Sequence, residues 1–261
     1  MPCKTAAALA VHTFPESLSV LRPATLEEID ERSALRHRVD TKYVVPRTQL
    51  PELIERVDGY EVLEIDGRRM FSYENVYFDT PDLRCFSDHV EGLEPRFKAR
   101  TRYYRDTDTC FFEVKVKTGD ETTKRQRECD VEEQGVVTES AGAFLRDALS
   151  ELTGEEAPRD LAPTLSTSFR RATLSACEGG ERATIDLDVV LRAMDGRSVT
   201  LRDEFALMET KSEEGTGQID AALLASDCEP TSISKYRLGV GLLLAEDPKS
   251  ARLEALRRCF A

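Results

Sequence analysis

Residues 96–102 read RFKARTR, with a cation at every second position: Arg96, Lys98, Arg100 and Arg102. A β-strand turns alternate side chains to opposite faces, so this spacing sets four like charges on one face. Neighbours there lie ~6.6 Å apart, and at an effective dielectric of about 20 each pair repels by ~2.5 kcal/mol. In bulk water the same pair repels by only ~0.6 kcal/mol. The face therefore needs open solvent, facing acids or a bound anion. Guanidinium forks and lysine ammonium groups in such a row suit one kind of anion best, a string of phosphates.

The pattern recurs. In CFFEVKVK (110–117), Glu113, Lys115 and Lys117 share one face and Phe112, Val114 and Val116 the other. Arg38, Asp40 and Lys42 alternate with Val39, Thr41 and Tyr43. Arg182, Thr184, Asp186 and Asp188 alternate with Ala183, Ile185, Leu187 and Val189, and Glu209 and Lys211 share a face in ALMETKSE. Lys124, Arg125 and Arg127 add cations after residue 117. Between Arg96 and Arg127 ten basic residues stand against five acidic ones, in a chain whose formal charge is −13. Two arrangements accommodate this. One is an antiparallel sheet with a solvated charged face and its apolar face on helices. The other is a sheet curled with its charged faces inward, a cationic tunnel that an anion relieves.

The elements that would position these residues follow from periodicity and punctuation. Eight strands are expected: 36–45, 69–80, 96–104, 110–117, 123–131, 163–176, 183–194 and 203–213. Helices are expected at 25–35, where Thr25 and Glu28 form a capping box, and around 46–57, 139–152, 218–227 and 251–260. SISKYRLGVGLLLA is expected to end in a helix or buried segment, and LRCFSDH reads as a short connector. Tight polar turns between successive strands imply antiparallel pairing, so the fold class is α+β. One domain is expected over 1–261, with a lead-in at 1–34, the sheet at 35–245 and a closing helix at 246–261.

Apolar content of 40% and charged content of 33% describe a globular protein. The net negative charge argues against a nucleic-acid partner. Seven scattered cysteines without a CxxC pair fit a reducing cytosol, and no apolar run reaches the ~20 residues of a transmembrane span. A cytoplasmic location is expected. No glycine is followed by lysine, so there is no Walker A loop. Of the histidines, His12, His37 and His89, the last reads as a surface connector residue. Glu209 alone reads as a salt-bridge partner of Lys211 or of an arginine across the sheet. Asp186 and Asp188 read equally as metal ligands or as carboxylates that orient arginines. Tyr43, Tyr77 and Tyr103 are expected to pack, with hydroxyls reaching polar groups.

Taken together, RVDTKYVV, NVYFDTPDL, RFKARTRYY, FFEVKVK, TKRQR, SFRRATL, ERATIDLD, LMETK and SISKYRLG resemble, in order, the strand motifs of the VTC (vacuolar transporter chaperone) domain. That domain is the polyphosphate-polymerase branch of the CYTH-like triphosphate tunnel metalloenzymes. The resemblance implies an eight-stranded, mainly antiparallel β-barrel with flanking helices. It implies that ATP or another triphosphate is bound with a divalent cofactor, Mn²⁺ or Mg²⁺, and that the terminal phosphate passes to inorganic polyphosphate. Lys42, Arg100, Arg102, Lys115 and Glu209 would be catalytic. Phosphate would be held by Lys42, Arg96, Lys98, Arg100, Arg102, Lys115, Lys124, Arg127, Arg171, Arg182, Lys211 and Lys235. Metal would be held by Glu209 and Glu113.

Where many tunnel enzymes open with E-x-E-x-K, this chain has Arg38-x-Asp40-x-Lys42, which favours the VTC branch over a two-metal triphosphatase. Phe169 stands where tyrosine is common, leaving open which of Arg170 and Arg171 points inward. Hydrolysis of a triphosphate, or binding without turnover, would use the same strands. A membrane partner protein is neither implied nor excluded.

Overall fold

The computed structural model describes residues 14–32, 39–213, 215–231, 234–245 and 251–261. His12, His37, Arg38 and Ser232 lie outside the described residues, as do residues 1–13 and 33–34 of the lead-in. The strands are β1 (Arg22–Ala24), β2 (Val39–Pro46), β3 (Tyr60–Leu63), β4 (Phe71–Asp79), β5 (Arg96–Tyr104), β6 (Thr109–Thr118), β7 (Glu121–Cys129), β8 (Ala162–Ala176), β9 (Arg182–Ala193), β10 (Ser198–Thr200), β11 (Phe205–Ser212) and β12 (Pro230–Thr231). The α-helices are α1 (Leu26–Arg32), α2 (Leu50–Arg56), α3 (Arg84–Glu91), α4 (Glu139–Thr153), α5 (Gln218–Leu224), α6 (Lys235–Leu243) and α7 (Ala251–Arg257).

All strands join one sheet whose main path runs β12-β2-β11-β9-β8-β4-β5-β6-β7, and every pair along it is antiparallel. β3 attaches to β8, β1 lies parallel to β3, and β10 extends β9. The fold is α+β, with a large antiparallel sheet and flanking helices. The expected closed barrel of eight strands is corrected in two ways: among the described residues the sheet has twelve strands, and its ends do not pair.

The eight long strands are those the alternation marks. The other four span two to four residues, too few for a period to show. The sheet stays open because β12 already occupies the free edge of β2 beside Tyr43 and Lys42. At the opposite end β7 (ETTKRQREC) is a polar, mostly exposed edge of the kind that resists further pairing.

Helix ends follow local chemistry. Thr25 and Glu28 exchange the two bonds of the expected capping box at α1. LRCFSDH is a helix, α3, and not a connector. The buried Asp79 carboxylate accepts the backbone N–H groups of Cys85 and Phe86, and Gly92 ends the helix at a φ of +73°. That capping residue lies well upstream of the helix, outside the stretch where a cap is normally sought.

Apolar alternation buries the convex face of the sheet. Tyr43, Ile185, Leu187 and Met208 pack under α2 and α5, and Phe97, Phe112, Val114 and Val116 pack under α4. Part of the concave face is apolar too. There Tyr77, Leu165, Phe169, Val189 and Leu191 pack against Tyr236, Leu238 and Val240 of α6. The rest of the concave face is a charged lumen. Among the described residues, no helix is long and apolar enough to cross a membrane.

Candidate functional site

Three clusters of charge line the lumen. The first forms around Glu113 of β6, which stands opposite Arg100 in register. Arg100 donates from Nε to Glu113 Oε2 at 2.6 Å and from Nη1 to the Tyr77 hydroxyl at 2.9 Å. Arg102 donates to Asn75 Oδ1 at 2.8 Å and lies 3.9 Å from Glu113, while Lys124 of β7 reaches Glu113 Oε1 at 2.7 Å. Burial pushes the Glu113 pKa up, but Arg100, Arg102 and Lys124 together hold it far below the usual carboxylate range. Burial likewise works against the Arg100 charge, and Glu113 and Tyr77 outweigh it.

The second cluster centres on Asp186 of β9. Arg171 of β8 grips it bidentately, Nε at 2.6 Å and Nη2 at 2.8 Å, and Lys235 at the start of α6 bonds the same carboxylate. The Arg171 guanidinium also lies 5.3 Å from the Tyr73 ring centroid and 5.0 Å from that of Phe169. Asp186 is buried, which would raise its pKa, yet Arg171 and Lys235 lower it. Arg182 lies nearby with its Nη1 3.4 Å from Asp30, and burial lowers its pKa.

The third cluster joins β2, β11 and β6. Lys211 Nζ lies 3.0 Å from Glu209 and 3.2 Å from Asp40, Lys42 lies 3.6 Å from Glu209, and Lys115 lies 3.7 Å from Asp40. Burial would raise the Glu209 pKa, but Lys211 and Lys42 carry it well below its ordinary value. Between the first and third clusters stands Lys98, 3.1 Å from Ser234 Oγ and 3.4 Å from His89 Nε2.

Of the expected site residues, Lys42, Lys98, Arg100, Arg102, Lys115, Lys124, Arg171, Arg182, Lys211 and Lys235 thus gather inside, with Glu113 and Glu209. Arg96 lies at the rim, 3.1 Å from Glu94. Arg127 is placed elsewhere. It pairs in register with Phe112, on the face under α4, and bonds Glu133 at 2.8 Å and Ser140 at 2.9 Å. Lys124 and Arg127 are three residues apart, an odd spacing that a regular strand sends to opposite faces.

The Arg170/Arg171 ambiguity resolves by the unbroken alternation of β8, in which Phe169 and Arg171 share the lumen face; the extra residue of the neighbouring register shift lies in β9. Arg171 enters the lumen, while Arg170 bonds Asp188 outside. Asp188, with a φ of +54°, is the bulged residue that turns β9 from its charged stretch to its apolar one. Asp186 and Asp188 therefore orient arginines on opposite faces. His89 is not a surface residue. It is partly buried beside Lys98, and burial with the Lys98 charge pushes its pKa down to about 3. Asn75 and Ser234 fall inside the motifs NVYFDTPDL and SISKYRLG without being singled out there, and Tyr73 and Asn75 share the lumen face by the alternation of β4.

A divalent ion can be tested against these donors. Among the described residues, no three His, Cys, Asp or Glu side chains converge to hold a metal. Glu113 does not fit a cation, because three cationic side chains already converge on it. Glu209 and Asp40 are also paired with lysines, but both reach one point, Lys211 Nζ, so an ion that displaced this ammonium would meet two carboxylates, a partial set. Mg²⁺ and Mn²⁺ commonly take one or two carboxylates and fill the remaining positions with water and phosphate oxygens.

Residues 37–244 match the sequence pattern of the VTC domain. Among solved structures, the chain resembles a protein of Bacillus halodurans described provisionally as an adenylate cyclase. The two share 17% identity and a TM-score of 0.51, over 80% of this chain and 98% of the other. It also resembles a protein of Hippeastrum described provisionally as an adenylyl cyclase and as showing a dominant triphosphatase activity. That match has 14% identity and a TM-score of 0.48, over 81% of this chain and 99% of the other. No curated protein sequence matches the chain. With four-fifths of its length matched, and with the motif strands folded into one curled sheet, the chain belongs to the VTC domain family.

Proposed function

We propose that this protein is a polyphosphate polymerase of VTC type. It would move the terminal phosphoryl group of ATP or another triphosphate onto the end of a polyphosphate chain in the lumen. The observation that carries this reading is the lumen's charge. Guanidinium and ammonium groups from β2, β5, β6, β7, β8, β11 and α6 converge there and far outnumber the carboxylates among them, in a chain of net charge −13.

Phosphoryl transfer demands mainly positioning and charge neutralisation, with little covalent chemistry from the protein. Arg100, Arg102 and Arg171 are held ready by Glu113, Asn75 and Asp186, so their forks need no reorganisation when phosphate arrives. Lys42, Lys115, Lys124, Lys211 and Lys235 add point charge along the chain's path. Glu209 and Asp40 would anchor Mn²⁺ or Mg²⁺ by its protein side, where the ion supplies charge neutralisation for the phosphate oxygens.

A hydrolase reading draws on one feature, the gap between β7 and β12, which leaves a side through which water can enter. Incubation with ATP and Mn²⁺ followed by gel analysis separates the two. Long chains mean polymerase, free phosphate alone means hydrolase, and tight triphosphate binding without either means a binding module. Glu209→Gln should abolish metal-dependent turnover while triphosphate still binds without metal.

A further inference from the structure

Lys98 differs from the other inward cations. Arg100, Arg102 and Lys124 share Glu113; Arg171 and Lys235 share Asp186; Lys42 and Lys211 share Glu209; and Lys115 and Lys211 share Asp40. Among the described residues, Lys98 has no carboxylate within ion-pair distance. Its two polar contacts are a hydroxyl, Ser234 Oγ, and an imidazole, His89 Nε2.

The charges that act on it most strongly are all positive. Lys115 stands directly opposite on β6, Lys42 approaches from β2, and Arg96 and Arg100 flank it on β5. From the helix side come His89 of α3 and, beyond it, Arg237 of α6. His89 is neutral at ordinary pH, so it adds no charge of its own. The neighbouring carboxylates, Glu113 and Asp40, are engaged by other cations.

A hydroxyl and a neutral imidazole can each donate or accept, so they can serve either an amine or an ammonium. Burial, then Lys115, Lys42, Arg96 and Arg100, push the Lys98 pKa down to about 7.

We propose that Lys98, with Ser234 and His89, forms a proton-coupled phosphate seat. Lys98 is largely uncharged in the empty lumen above neutral pH and takes one proton from solvent onto Nζ as a phosphate group enters beside it. This rests on the triphosphate reading above and adds a proton to its binding step. The anion supplies the compensating charge that, among the described lysines, the fold withholds from this one. It follows that triphosphate affinity falls as pH rises above neutral, by up to about tenfold per pH unit from this group. Lys98→Arg, charged at every accessible pH, would lose that dependence.

The test is calorimetric titration of the full chain with tripolyphosphate at pH 8, in buffers of different ionisation enthalpy, for wild type and Lys98→Arg. Protons released by the ligand itself cancel in the difference. Wild type should take up about one proton more per bound tripolyphosphate than the variant. Equal proton counts would overturn the proposal. Should the variant fail to fold, ¹³C-labelled lysine side chains in wild type give the same answer by NMR. One lysine should titrate near pH 7 in the empty protein and move well above pH 9 with tripolyphosphate; no lysine titrating below pH 9 overturns it. If neither protein binds tripolyphosphate, the triphosphate reading fails on its own. The NMR titration repeated with inorganic phosphate then still decides whether Lys98 gains a proton with its anion.

Discussion

Lys115 Nζ of β6 lies 3.7 Å from Asp40 Oδ2 of β2, although these strands do not pair and sit six steps apart along the sheet. The sheet therefore curls until its two halves face each other, and side chains bridge the lumen where no hydrogen-bond ladder closes it. Lys115 remains half-exposed, so the bridge itself contributes little to stability. Lys115→Met should leave the thermal midpoint nearly unchanged, within about 1 kcal/mol of stability. It should lower tripolyphosphate affinity by roughly tenfold, the worth of one charged contact. Thermal unfolding and calorimetry on the same samples check both halves.

Glu113 is almost wholly enclosed and holds Arg100, Arg102 and Lys124 together. Glu113→Gln strips the shared counter-charge from three cations, and breaking a buried ion pair costs about 3 kcal/mol. A bound polyanion can restore part of that compensation. Urea unfolding should show a large loss without ligand and a greater gain from tripolyphosphate in the variant than in wild type. An equal gain in both proteins would mean that the anion does not reach this cluster.

Acid should act through the same carboxylates. Glu113, Asp186 and Glu209 have folded-state pKa values below their ordinary 4.5, 3.8 and 4.5. For a carboxyl lowered in the folded state, the stability it adds is complete above the unfolded value. That stability is lost as pH falls below the unfolded value and through the folded one. Unfolding free energy should thus begin to fall near pH 6.5, where unfolded His89 gains a proton that the buried imidazole refuses, and decline more steeply below about 4.5 as the carboxylates add their share. Glu113→Gln should show a shallower decline, because one of the three titrations is gone.

Packing carries the site as much as charge does. Gly239 of α6 faces Leu165 of β8 so closely that an added Cβ would lie 2.4 Å from Leu165 Cδ2. Gly239→Ala should cost about 1–3 kcal/mol by overpacking. The same helix carries Lys235 to Asp186, so its displacement should also weaken tripolyphosphate binding. Leu165→Ala in the same chain should recover part of the affinity, which a purely local loss of stability would not.

Much of this arrangement was legible in the residues. The alternation of Arg96, Lys98, Arg100 and Arg102 with Phe97, Ala99 and Thr101 fixes which face of β5 is charged, and it survives folding unchanged. What alternation cannot foresee is a bulge. The irregularity at Asp188 reverses the faces of β9 midway while β8 keeps its period, so period-two counting in β9 holds only on one side of it. Arg127 was misplaced for the opposite reason, because β7 is regular and its odd spacing from Lys124 should have separated the two. The contacts of Lys98 with His89 and Ser234 join residues far apart in the chain, on α3, β5 and the start of α6, and no local pattern encodes them. The open edge also escaped, because β12 is two residues long.

Everything proposed for the lumen requires that it take a triphosphate through its inner arginines. Tripolyphosphate titrated calorimetrically into wild type and Arg100→Ala, at low and at physiological salt, measures this. The account predicts one saturable site in wild type, weakened by salt, with affinity at least tenfold lower in Arg100→Ala. Absence of binding in a folded wild type, or equal affinity in the two proteins, would contradict it.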